Sequence, residues 1–81
     1  MGLRVMSILS EKVLITSTDY LGPASKVFLE RQTNAHMNGL KFDDLKKENI
    51  PELVRWIRIS ANLLIGKDRA DEFADKVNKF A

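Results

Sequence analysis

The sequence predicts an all-α protein, a compact bundle of four principal helices plus one short connecting helix. Three observations lead to this prediction: apolar residues recur at helical spacing, glycine and proline separate the periodic stretches, and no stretch offers a convincing pair of strands. The 81 residues are 44% hydrophobic and 30% charged, a composition typical of globular proteins. We therefore predict a single helical domain, residues 1–81.

The most apolar stretch, residues 50–66, predicts the central helix. Pro51 suits the first turn of a helix, where a missing N–H costs nothing, and Gly66 suits the residue that ends it. Apolar side chains cover most of the circumference, which is typical of a helix packed on several sides. The narrow polar wedge contains Glu52, Arg55, Arg58, Ile59 and Asn62.

Helical spacing also predicts a first helix over residues 6–20. Its main apolar face comprises Met6, Leu9, Val13 and Tyr20. Ile8 and Ile15 lie on the opposite side as a second, smaller apolar stripe. The run from residue 13 to residue 18 is also rich in β-branched residues, but no partner strand follows it.

A second helix is predicted from Pro23 to about Met37, after a turn at Gly22. The spacing places Leu29 away from the apolar face of this helix and Arg31 in the middle of it. We expect that face to consist of Ala24, Val27, Phe28 and Ala35.

The connecting helix is predicted from an N-cap at Asp43 to Glu48. The last helix is predicted from Asp68 to Phe80, where one face is apolar and the other acidic. The apolar stripe is Ala70, Phe73, Ala74, Val77 and Phe80; the acidic stripe is Asp68, Asp71, Glu72 and Asp75.

Two turns give the chain a family resemblance. Residues 20–31, which include Leu21-Gly22-Pro23-Ala24-Ser25, and residues 64–70, which include Gly66-Lys67-Asp68-Arg69-Ala70, are similar to a pattern in which a Leu-Gly-Pro-x-Ala turn is followed by a Gly-Lys-x-x-Ala turn. Residues 9–80 thereby resemble small helical accessory modules of prokaryotic signalling and regulatory proteins. The resemblance implies an interaction module without catalytic residues. The 81 residues themselves contain no receiver, kinase or GTPase-regulating domain of the kind to which such modules are appended.

The composition excludes several kinds of site. There are no cysteines and only one histidine, His36, which suits the C-terminal end of a helix. The acidic stripe is better explained as a solvated helix face than as a metal site, because hard cations need oxygens that converge from several directions. We predict no catalytic residue, no cofactor and no metal, hence no enzyme. No stretch is long and apolar enough to span a membrane, and we expect a cytoplasmic protein.

The remaining candidates for function are surface residues. We predict protein contact through Ile8, Ile15, Arg55, Arg58 and Ile59, because isoleucines on otherwise polar faces favour a partner. One form of this prediction is a homodimer in which the polar wedge of one copy meets the acidic stripe of another. The alternative is a small nucleic-acid-binding protein that uses Lys46, Lys47, Arg55 and Arg58. The net charge of +2 and the acidic last helix disfavour it.

Overall fold

The computed structural model of the protein describes residues 6–81, and these form an all-helical structure. The helices are α1 (Ile8–Leu21), α2 (Ser25–His36), α3 (Ile50–Ile65) and α4 (Lys67–Asn78). Short 3₁₀ turns occur at Gly22–Ala24, Phe42–Asp44 and Lys47–Asn49. Helix accounts for 83% of the described residues and no strand occurs among them, which confirms the predicted all-α class.

The predicted count of four principal helices plus one connecting helix differs from the structure, because α1 and α2 join without a break and the connecting helix does not form. Residues 6–81 contain three uninterrupted helical runs, 8–36, 47–65 and 67–78, and one isolated turn at residues 42–44. Gly22 turns the chain at φ 57°, and the 3₁₀ turn that starts there leads directly into α2. The predicted helix from Asp43 to Glu48 does not form, because Leu45 and Lys46 have extended backbone between two separate turns.

The predicted boundaries of α3 are confirmed, whereas the start of α4 differs from the prediction. Pro51 lies in the first turn of α3, and Gly66 follows its last residue at φ 87°. This left-handed conformation is one that glycine adopts without steric cost. Because α4 begins at the next residue, Lys67, Asp68 lies inside its first turn and does not cap it.

One apolar cluster runs through the described part of the chain, and its largest helix–helix contact joins α3 to α4. The predicted stripe of α4 is confirmed: four of its residues are buried and Phe80 is partly buried. The central-helix prediction is wrong for Leu63 and Leu64, which are exposed. The buried face of α3 is narrower and consists of Ile50, Leu53, Val54, Ile57 and Ala61.

Helix α2 presents to the core a face that matches the prediction only in part: Phe28 is buried as expected. Leu29 is fully buried and Val27 is 58% exposed, the reverse of the expectation from spacing. Gln32 and Thr33 are also buried, so polar side chains lie on the core face where the hydropathy pattern expected apolar ones. The predicted face, with Val27 and Arg31, forms part of the surface described next.

Candidate interaction surfaces

An apolar groove lies between α2 and the C-terminal half of α3. Leu63 and Leu64 of α3 are 85% and 64% exposed, and Val27 of α2 lies across the groove from them. A hydrogen bond of 2.9 Å from the Ser60 hydroxyl to the side-chain amide oxygen (Oε1) of Gln32 connects the two helices at this groove. We call this surface the α2/α3 groove; its lining is Ala24, Val27, Phe28, Arg31, Gln32, Ala35, His36, Ser60, Leu63 and Leu64.

The fixed charge that lines the α2/α3 groove is positive. Arg31 is its only side chain with a fixed charge, and no carboxylate lines it. Arg31 forms no ion pair within residues 6–81, so its guanidinium is open to a partner there. A ligand of this groove would therefore combine apolar side chains with an acceptor or carboxylate opposite Arg31.

The outer face of α3 extends this apolar surface. Ile59 is 51% exposed and lies one helical turn before Leu63, so the two side chains are neighbours on that face. Trp56 is partly buried and stacks on His36, with ring centroids 4.0 Å apart and an angle of 11° between the rings. The guanidinium of Arg55 lies 5.6 Å from the centroid of the Trp56 ring.

Arg58, predicted as a contact for a partner, forms ion pairs within the chain. Its guanidinium donates to the carboxylates of Asp71 and Asp75, each at 3.0 Å. The hydrogen bond to Asp75 and, to a smaller extent, that to Asp71 raise the pKa of Arg58. Hydrogen bonds from Lys67 and, to a smaller extent, from Arg58 lower the pKa of Asp71. The acidic stripe that was expected to meet a second copy thus already binds the wedge of its own chain.

A third member of the acidic stripe, Glu72, also has partners within the chain. The Tyr20 hydroxyl donates to the Glu72 carboxylate at 2.7 Å, and Lys76 lies 3.7 Å from the same carboxylate. The Tyr20 hydrogen bond lowers the pKa of Glu72, and burial raises the pKa of Tyr20. These contacts fix α4 against α1 and give the acidic residues a structural role.

A second groove contains four lysines. Lys12 comes from α1, Lys46 and Lys47 from the segment before α3, and Lys79 from the end of the chain after α4. Ile8 is 74% exposed at this groove. We call this surface the lysine groove; its lining is Ile8, Leu9, Lys12, Leu45, Lys46, Lys47, Lys79, Phe80 and Ala81.

The predicted site residues therefore fall on several surfaces. Ile8 lies in the lysine groove, Ile15 is 67% exposed elsewhere on α1, and Ile59 lies beside the α2/α3 groove. Lys46 and Lys47 line the lysine groove without Arg55 or Arg58, so the four residues predicted to bind nucleic acid do not share it. Sequence reasoning missed Leu63, Leu64 and Val27, because their spacing suits burial equally well.

Within residues 6–81, no group of three or more histidine or acidic side chains has the arrangement of a metal site. None of the helices in this part of the chain combines the length and the apolar character needed to cross a membrane. His36, the single histidine, is exposed at the end of α2, and one face of its ring stacks on Trp56. The described residues with the clearest capacity to bind are thus those of the two grooves.

Comparison with family models, with curated protein sequences and with solved structures finds no match to this chain. The resemblance to accessory modules of signalling proteins stays a prediction.

Proposed function

We propose that the protein is a non-enzymatic helical interaction module that binds an apolar helix of another protein chain in the α2/α3 groove. The observation that carries this proposal is Leu63, an 85% exposed leucine beside two further exposed apolar side chains, Val27 and Leu64. A patch of this kind is typical of a protein contact, whereas apolar residues scattered singly need no explanation.

The groove suits a helix as its ligand. Helix-in-groove recognition places apolar residues one turn apart on the ligand against an apolar channel between two helices. Burial of a leucine-sized side chain is worth about 1.5–3 kcal/mol, so three or four such contacts support a specific complex after the cost of association. Arg31 then selects ligands that carry a carboxylate at the rim of the apolar stripe.

A second copy of the chain is one such partner. Ile59 and Leu63 on the outer face of α3 would pack against the same residues of the other copy across a twofold axis. This arrangement differs from the predicted contact between polar wedge and acidic stripe, for which Arg58 is already engaged. A regulatory role in the cytoplasm is part of the proposal, in keeping with the absence of cysteine.

The test uses charge placed in the groove. Purified protein at high micromolar concentration is analysed by light scattering, and tagged protein is used to recover partners from the native cell extract. Leu63→Asp and Ile59→Asp should abolish self-association or the recovery of a specific partner. Asn62→Asp, which adds the same charge on an exposed neighbouring residue outside the groove, should change neither.

Circular dichroism of each variant verifies that the helices are retained. A monomeric wild type, together with the same recovered proteins for Leu63→Asp and for Asn62→Asp, would contradict the proposal.

The predicted alternative, nucleic-acid binding through Lys46, Lys47, Arg55 and Arg58, has less support. The charge of Arg58 is balanced by two carboxylates, and Arg55 lies against Trp56. A complex held by phosphate contacts would weaken steeply with added salt and would not depend on Leu63. Binding of this kind would replace the interaction-module proposal.

A further inference from the structure

The lysine groove brings together four cations that are not neutralised within the described structure. Elsewhere Arg58, Lys67 and Lys76 each lie within ion-pair distance of a carboxylate. None of the four groove lysines forms an ion pair within residues 6–81, and no acidic side chain lines the groove. Like charges held together in a concave surface raise the local concentration of anions.

The fold itself brings these lysines together. They belong to three segments that are distant along the chain, so the cluster is a product of the tertiary structure and not of a local run of basic residues. Lys46 also borders a neighbouring groove that contains Asp44 and Glu48. The three lysines that face only the lysine groove are therefore Lys12, Lys47 and Lys79.

The floor of the groove is apolar. Leu45 is buried, Leu9 and Phe80 are partly buried, and Ile8 is 74% exposed among the lysines. The open groove has a volume of about 520 Å³, within the range of roughly 300–1,000 Å³ typical of ligand pockets, so there is room for a few side chains. An exposed isoleucine beside uncompensated lysines favours a ligand that carries both apolar groups and negative charge.

We propose that the lysine groove binds an acidic peptide segment of a partner protein, whose carboxylates pair with Lys12, Lys47 and Lys79 and whose apolar side chains pack on Ile8 and Phe80. A nucleic acid gains its affinity from phosphate contacts and base stacking, for which Ile8 offers nothing. The surface of a bilayer is flat, whereas this site is concave. This proposal is independent of the α2/α3 groove, with which the lysine groove shares no residue.

The probe is a fluorescein-labelled dodecapeptide with the unit Glu-Asp-Leu-Glu-Asp-Phe repeated twice, and its binding is followed by fluorescence anisotropy. One control peptide replaces every acid by its amide, and a second replaces every apolar residue by serine. We expect both controls to bind at least about tenfold more weakly than the probe, because each lacks one of the two interactions.

Variants of the protein locate the site. Lys47→Glu combined with Lys79→Glu should lower the affinity for the probe by about tenfold or more, since two attractive pairs become repulsive. Ile8→Ser should lower it several-fold. Lys26→Glu, the same charge reversal on an exposed residue of α2 outside the groove, should change it less than twofold, and Leu63→Asp should leave it unchanged.

Three results would overturn the proposal. The first is probe binding that is unaffected by Lys47→Glu with Lys79→Glu while circular dichroism shows both proteins folded. The second is equal affinity for the probe and for its serine control. The third is tighter binding of a twelve-base-pair DNA duplex, or of phosphatidylserine vesicles, than of the probe. This result would show that the lysines bind phosphate groups.

Discussion

The α3–α4 region and the α1–α2 region of this protein are built with different interior chemistry. Between α3 and α4 the buried residues are apolar or alanine, with Ile57, Ala61, Ala70, Phe73 and Ala74 all fully buried. The interior side of α1 and α2 instead includes a set of buried polar residues. That set is Ser10, Ser17, Ser25, Gln32 and Thr33.

The buried polar residues are tolerated because each finds a partner close by. The Ser17 hydroxyl donates to the Val13 carbonyl oxygen at 2.8 Å, and the Ser25 hydroxyl donates to the Gly22 carbonyl oxygen at 2.8 Å. A buried hydroxyl with a hydrogen bond avoids most of the cost of losing water. The buried Gln32 and Thr33 explain why hydropathy predicts the stripe of α4 correctly but misassigns Leu29 and Val27 of α2.

The largest expected effect tests the assignment of faces in α2. Leu29→Ala should destabilise the protein by about 2–5 kcal/mol, because it leaves a cavity at a fully buried side chain. Val27→Ala removes a side chain that is 58% exposed and should change stability by less than about 0.5 kcal/mol. Urea unfolding followed by circular dichroism measures both. A larger loss of unfolding free energy for Val27→Ala than for Leu29→Ala would show that the buried face of α2 is the one predicted from spacing.

The sequence was sufficient to predict the all-α class, the Pro51–Gly66 boundaries of α3 and the stripe of α4, because those features depend on residues that are close together in the sequence. It was insufficient for α2, where Gln32 and Thr33 are buried and Val27 is not. Local spacing cannot show which face meets the core when polar residues are hydrogen-bonded there.

The two grooves were harder to predict for another reason. The exposure of Ile8, Ile15 and Ile59 could be predicted from helical phase, whereas the lysine groove depends on three segments meeting in space. The exposure of Leu63 was missed because an apolar residue in an apolar helix looks like core until the neighbouring helices are placed.

An effect of intermediate size on unfolding free energy is expected when two buried serines of α1 are replaced in turn. The Ser10 hydroxyl donates at 2.6 Å to the carbonyl oxygen of Phe42, a residue in a different element. Ser10→Ala should cost about 1 kcal/mol, because it removes a buried hydrogen bond between two elements, while the Phe42 carbonyl keeps its bond from the Leu45 N–H. Ser17→Ala should cost less, because the Val13 carbonyl can still accept its bond within the helix. Equal losses of unfolding free energy for both variants would show that the contact between α1 and Phe42 adds nothing specific.

The smallest expected effect is a dependence of stability on acid pH that arises at the edge between α4 and its neighbours. The pKa of Asp71 is lowered from 3.8 by Lys67 and Arg58, and the pKa of Glu72 is lowered from 4.5 by the Tyr20 hydroxyl. A carboxylate whose pKa is lower in the folded state stabilises the fold above its ordinary pKa. This contribution decreases as the pH falls below those values and through the lower pKa of the folded state.

Thermal unfolding between about pH 3 and pH 7 at low salt measures this contribution, since salt screens exposed ion pairs. Asp71→Asn with Glu72→Gln should lower the melting temperature at neutral pH and flatten its decrease below pH 4.5, the ordinary value for Glu72. Asp68→Asn is the matched control, because Asp68 forms no ion pair within residues 6–81. Parallel curves for the double variant and the wild type would show that the contacts of Arg58 and Tyr20 are too screened to contribute. The acidic stripe would then be open to a partner, as the sequence first indicated.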